Sequence, residues 1–312
     1  MRTSKNKSEV GPAHRGQALS LCGAALAAPR DGETGREAAP CEYWICWGPA
    51  RPLPWSASGW AGLAALLLGA AGAVSLAGAV VPFGNWYGPT VTNLRELPGA
   101  VPAGTFPARA AVPGPGAPVA LTFDDGPYEP FTGELLAVLR QHQVRATFFL
   151  VASQAERHPD LVRQIVADGH TVGIHAYRHQ DYLKLTDAEK RADLTRAKVV
   201  LERLTGRRLT YWRPPHGFRD PSVMALAREL GLTVVTWNVV PRDWTGISSG
   251  DIVRRVQAGT TENAIVLLHD GDSPRYQASR QPTVDAVGPL LEAWRRAGYC
   301  PVSLDEAKRG WK

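Results

Sequence analysis

The sequence predicts an α/β protein built on parallel strands, with its working end at the strand C-termini. Three observations carry this. Short apolar runs alternate with helical patterns from about residue 118 to the end. The runs are apolar on both faces, as strands buried between helices are. Asp124, Asp125, His175, Arg213, Asp243 and His269 each fall at or just after the end of a run. In a (β/α) barrel those ends converge on one mouth, where active sites form. A nucleotide-binding doubly wound sheet would want a glycine-rich loop after its first strand, and DDGPYEP is not one.

The elements follow in order. VALTFD (119–124) is the first strand, and PFTGELLAVLRQHQ (130–143) is a helix whose apolar face is Leu135, Leu136, Val138 and Leu139. VRATFFLVA (144–152) is a strand, ERHPDLVRQIVADG (156–169) a helix ended by Gly169, and HTVGIH (170–175) a short strand. Thr186 and Glu189 form a capping box that opens a long helix running to Gly206. RLTYWRPP (208–215) is a strand stopped by prolines, and DPSVMALAREL (220–230) a helix stopped by Gly231. Strand 232–240, helix 248–260, strand 263–270, helix 284–298 and a last strand near Cys300 complete the series.

The chain has 312 residues, is 44% hydrophobic and 21% charged, and so has material for a sizeable core. Its net charge of +6 comes without a dense Lys/Arg run, which gives no footing for nucleic acid. Residues 1–59 show no sustained period and read as a disordered segment. Residues 61–81 hold no charge and only one Ser, and 21 residues at ~1.5 Å each reach the ~30 Å of a bilayer core. Trp60 and Trp86 flank the run. Seven Lys/Arg precede it, and only Arg95 and Arg109 lie between it and residue 120. The segment 60–82 is therefore expected to be a transmembrane or signal-anchor helix, with the bulk of the chain outside the cytoplasm. Ala77-Gly78-Ala79 would suit a signal peptidase, so a secreted form after cleavage is the alternative. Residues 83–117, rich in Pro, Gly and Ala, read as a linker, and 118–312 as the folded domain. Cys300 is the one cysteine on the outer side, so no disulfide is expected there.

His175 and His179 in HAYRH are four apart, which on a helical turn stacks two imidazoles on one face. Two imidazoles and a carboxylate suit a divalent transition metal, and two surface histidines would give the same spacing. In DDGP a cation bound by one Asp lets two neighbouring acids stay ionised and frees the other as a general base. The same four letters also make an ordinary turn. Arg213, pinned by two prolines, could grip a carboxylate bidentately. Asp243-Trp244 offers an acid and an aromatic wall, and His269 emerges from a buried run as a candidate general acid or a core-edge histidine.

Taken together, TFDDGP, HAYRH, RPPHG, the Asp-Trp of VVPRDW and LLHDG resemble, in order, the five motifs of the polysaccharide deacetylases of carbohydrate esterase family four. The resemblance spans about residues 118–306 and implies a distorted (β/α) barrel. It implies Asp124 as general base, Asp125, His175 and His179 as metal ligands, and Arg213 as the residue that orients Asp124. It further implies a His216 backbone N–H beside the oxyanion, His269 as general acid, and Leu267 and Trp244 around the acetyl methyl. The ion would be zinc foremost, with cobalt, nickel or manganese also compatible. The implied reaction removes N-acetyl groups from an N-acetylhexosamine polymer such as peptidoglycan or a chitin-like glycan. An O-acetyl esterase acting on acetyl xylan, or a non-catalytic glycan-binding protein, are the competing readings. Three positions depart from the family pattern. Val240 replaces an acid that can pair with the catalytic His, Ala176 replaces a Ser or Thr, and His216 replaces a Tyr.

Overall fold

The computed structural model describes residues 85–100, 116–272 and 278–309, with scattered positions between 69 and 81. Its centre is an all-parallel sheet of seven strands. These are β1 (Ala117–Asp124), β2 (Thr147–Val151), β3 (Thr171–Ala176), β4 (Tyr211–Trp212), β5 (Thr233–Val234), β6 (Ile265–His269) and β7 (Tyr299–Val302). The order is β5-β4-β3-β2-β1-β6, and β7 pairs with the N-terminal half of β1. The sheet curls, and beyond β5 the chain reaches the far edge, where Val239 bridges in parallel to Val266 of β6. This is a curled parallel-strand fold of the distorted-barrel kind.

Helices connect the strands: α1 (Phe131–Gln141), α2 (Ala152–Arg157), α3 (Pro159–Ala167), α4 (Asp187–Thr205), α5 (Pro221–Glu229), α6 (Ser249–Gly259), α7 (Gln281–Arg296) and α8 (Leu304–Arg309). The capping box at Thr186 and Glu189 opens α4, and Gly206 closes it at φ 64°. The helix expected over 156–169 is two helices. His158 sits at φ −124°, ψ 56°, because the residue before a proline is driven out of helical geometry, and Pro159 then starts α3. The strand expected over 208–215 shrinks to two paired residues, since Pro214 and Pro215 have no N–H to donate.

Strand residues alternate between two cores. Val119, Leu121 and Phe123 of β1 join Phe148, Leu150 and the helices in the larger cluster. Ala120, Phe149, Tyr211, Ile265 and Leu267 form a second cluster on the concave face. On that face the C-terminal ends of the strands turn polar: Thr122 and Asp124 follow Ala120, Arg213 follows Tyr211 by two, and His269 follows Leu267 by two.

Part of the segment read as linker is seated on the domain. Val91 bridges to Val235 and Asn93 to Ala264, and Val91, Leu94 and Leu97 are buried in the concave-face cluster. Three apolar side chains, three residues apart, anchor a stretch whose Pro and Gly content suggested a free linker. Most of 60–82, and all of 1–59, lie outside the described residues. Among the described residues no helix is long and apolar enough to cross a membrane.

Candidate active site

β1 supplies the two acids. Adjacent side chains on a regular strand would face opposite ways, but Asp125 has left the strand at φ 76°. That left-handed step turns its carboxylate toward the same cavity as Asp124. The turn sits tightly on the strand that bears His269: a Cβ on Gly126 would run into the Asp270 carboxylate, so only glycine fits.

The expected helical turn at HAYRH does not form. His175 belongs to β3, and His179 lies in the loop that follows. Two tertiary contacts shape this loop. Trp212 Nε1 donates to His175 O at 3.1 Å. Asp193 of α4 accepts from the backbone N–H of Tyr177 at 2.9 Å and of Arg178 at 3.1 Å, and from Tyr182 Oη at 2.7 Å. The chain therefore folds back and brings the two imidazole centroids within 5.0 Å.

Both Nε2 atoms lie 3.3 Å from Asp125 Oδ1. That oxygen is buried and makes no well-formed hydrogen bond. The three ligand atoms all fall within 4.8 Å of one another. His175 Nδ1 lies 2.7 Å from Arg213 O, and a carbonyl can only accept, so Nδ1 carries a proton and Nε2 is the nitrogen that faces Asp125. Burial drives the His179 pKa down to about 4, which keeps that ring neutral. Burial also works against charge on His175, but Asp124 and Asp125 outweigh it and raise its pKa. Burial raises Asp125, yet the neighbouring His179 and His175 pull it well below the usual carboxylate range. A stranded buried oxygen, two imidazoles facing it with one oriented through its Nδ1, and two adjacent carboxylates fit a divalent cation held by Asp125, His175 and His179.

Arg213 is fully buried beneath this cluster. Its Nη1 donates to Asp124 Oδ1 at 2.7 Å and to Thr122 Oγ1 at 2.8 Å. Nη2 donates to Thr236 O at 2.8 Å and Nε to Val235 O at 3.2 Å. The expected bidentate grip is thus a single bond to the carboxylate. The other donors are consumed by two strands, which fixes the guanidinium and leaves Asp124 Oδ2 free of it. Phe149 stacks beneath, its ring centroid 4.1 Å from Arg213 Cζ.

His269 ends β6. Asp243 Oδ1 sits 2.8 Å from its Nδ1, and Asp243 Oδ2 accepts from His269 N at 2.8 Å and Thr283 Oγ1 at 2.9 Å. Asp243 therefore takes the partner role that Val240, exposed on the surface, cannot. Burial lowers the His269 pKa, but Asp243 more than compensates and lifts it to about 9. Trp244 meets the His269 ring edge-on at 5.1 Å, and Leu267 lies two residues back on the same face. His216, at φ 60°, places its ring 4.7 Å from His179.

These side chains line one cavity of about 310 Å³, which brings together Asp124, Asp125, His175, His179, His216, Trp244, Leu267 and His269. Trp237, Asp272 and Arg280 also line it, and sequence reasoning missed all three. Asp272 follows LLHDG directly, so its place after a working strand was the available signal.

The sequence profile described as polysaccharide deacetylase matches residues 111–235. A peptidoglycan-N-acetylglucosamine deacetylase from Bacillus cereus is 34% identical over 193 residues, covering 61% of this chain and 88% of that one. The chain belongs to the polysaccharide deacetylase family. A chitooligosaccharide deacetylase from Bradyrhizobium is 37% identical over 188 residues, which is 58% of this chain and 86% of the relative. Among solved structures, a peptidoglycan N-acetylglucosamine deacetylase superposes with a TM-score of 0.59 at 32% identity, covering 63% of this chain and 90% of the other. In this deacetylase-family chain the five motif segments meet around one cavity.

Proposed function

We propose that this chain is a metal-dependent polysaccharide N-deacetylase that removes acetyl groups from an N-acetylhexosamine polymer, peptidoglycan or a chitin-like glycan. The observation that carries the reading is the pairing of two proton-transfer groups of opposite kind across one cavity. Asp124 is an acceptor held by Arg213, and His269 is a donor kept charged by Asp243. A divalent ion on Asp125, His175 and His179, zinc foremost, supplies Lewis acidity and stabilises negative charge at the acetyl oxygen when bound. Asp124 takes the proton of the attacking water as oxygen adds to the amide carbon. The His216 backbone N–H is assigned to the oxyanion, since His216 lines the same cavity. His269 gives its proton to the amide nitrogen as the C–N bond breaks, so acetate and a free amine leave. Trp244 and Leu267 wall the acetyl methyl.

Acetate release from purified glycans tests the reading. N-acetylglucosamine oligomers should release acetate, and His269→Ala should slow them about 10²-fold or more while slowing activated acetyl esters far less. An alkoxide leaves without protonation and an amide anion does not. Equal damage to both substrates would remove His269 from the acid role. In the pH–rate profile the basic limb reports loss of the His269 proton, and the raised pKa moves that limb upward from the ordinary 6.5 toward about 9. The smaller contributions of Asp124 and Asp125 would be offset by a bound cation, so the limb should fall between the two. Asp243→Asn should move it down.

The charge-free run at 61–81 and the Lys/Arg asymmetry around it support a tethered enzyme acting outside the cytoplasm. Protease added to cells with permeabilised outer layers should digest the domain. Protection equal to that of a cytosolic marker would contradict this placement.

A further inference from the structure

Beside the catalytic cavity lies a larger groove of about 750 Å³. The two share Asp272, whose buried carboxylate is held by Arg280 at 2.8 Å. A polymer that places one sugar over Asp124 must lay its next sugar somewhere, and this groove opens at that junction.

Loops after β1, β2, β3 and β6 line the groove. Asp272, after β6, is shared with the catalytic cavity, and Glu129 follows β1. Arg157, at the end of α2, and Arg178, after β3 and next to His179, line the same groove. Between these arginines Glu156 is already satisfied, by Tyr177 Oη at 3.0 Å and Arg203 Nη2 at 3.2 Å. Among the described residues Arg157 contacts only a neutral amide, Gln154 Oε1, at 3.4 Å. Arg178 leans over Tyr177, with Cζ 6.0 Å from the ring centroid, and has no carboxylate partner among the described residues. Tyr128 adds an aromatic face, stacked on Phe131 with centroids 6.2 Å apart.

We infer that this groove receives a sugar bearing a carboxylate, next to the N-acetyl sugar that reacts, with Arg157 and Arg178 reading the charge. The inference rests on the N-deacetylase reading of the catalytic cavity and deepens it. A chitin-like chain carries no anionic group. A peptidoglycan chain does, on the lactyl ether of alternate sugars or on the acidic residues of the peptide attached there. Two guanidiniums with no carboxylate partner among the described residues, in a groove that adjoins the reaction centre, distinguish these polymers.

The full chain, loaded with zinc, should be given three oligosaccharides of equal length. One is neutral oligo-N-acetylglucosamine, one alternates with a sugar carrying a free lactyl carboxylate, and one carries an acidic peptide there. The measured quantity is the ratio of kcat/KM for each charged substrate to that for the neutral one. We expect a ratio of about tenfold at low salt, shrinking as salt screens the exposed pairs. Arg157→Gln with Arg178→Gln should bring it toward one, and the double Lys variant should restore much of it. The arm with the higher ratio identifies the carboxylate's source. A wild-type ratio near one, or a ratio unmoved by the Gln pair, overturns the inference. Failure to release acetate from any of the three would instead overturn the N-deacetylase reading.

Discussion

His179→Ala is expected to strip the divalent ion from the protein and to abolish turnover while the domain stays folded. His179 sits in a loop rather than in the sheet, so its ring holds no strand together. The loop itself is held by Asp193 through the N–H groups of Tyr177 and Arg178, and the substitution leaves those bonds in place. What it removes is one of three candidate ligands, and one of the two imidazoles that face the buried, unsatisfied Asp125 Oδ1. Residues that merely orient a ligand are worth roughly 10–100-fold in metal affinity, so loss of a ligand should cost more. Metal content by mass spectrometry after gel filtration, with circular dichroism as the folding control, reads this directly. A folded variant that keeps one ion per chain would show that the cation is held elsewhere. Asp193→Ala is the companion change: it should weaken metal binding partially, because it loosens the loop and spares the ligands.

The pieces of this site that were legible in the sequence are those written locally. Apolar runs ending in Asp, His or Arg mark strand ends, and parallel packing makes all such ends converge. What joins the pieces was not legible, because it consists of contacts between residues far apart in the chain. Asp193 folding the HAYRH loop, Thr122 bonding Arg213, and Thr283 bonding Asp243 each cross 15 or more residues and leave no spacing to detect. Local geometry misled twice. Asp124 and Asp125 share a cavity only because Asp125 adopts a left-handed φ of 76°, which alternation along a strand does not foretell. HxxxH suggested a helical turn, yet the same convergence is produced by a strand end and a loop pinned from α4. At 85–100, Val91, Leu94 and Leu97 are too few against the surrounding Pro and Gly to give a periodic signal, although each is buried.

Asp124→Asn should lower kcat by about 10²–10⁴-fold on N-acetyl glycans and on activated acetyl esters alike, with metal content unchanged. The isosteric amide is the right probe, because the carboxylate also neutralises Arg213, which is buried with Nη1 only 2.7 Å away. Truncation to Ala would leave that cation with one hydroxyl and two backbone carbonyls, and breaking a buried pair in this way costs roughly 3–5 kcal/mol. A loss of folding would then be confused with a loss of chemistry. Asn keeps an acceptor for Nη1 and cannot take a proton from water, so the two effects separate. Substrate independence is the second discriminator. Water must be deprotonated whichever bond breaks afterwards, whereas only the amide needs His269 to protonate its leaving group. Damage from Asp124→Asn should therefore be equal on both substrates, and damage from His269→Ala should be lopsided. Retention of more than about a tenth of wild-type kcat would move the base role away from Asp124, since a positioned base contributes at least two orders of magnitude. Arg213 would then be holding a structural acid, and the orphan oxygen of Asp125 would be the next group to examine.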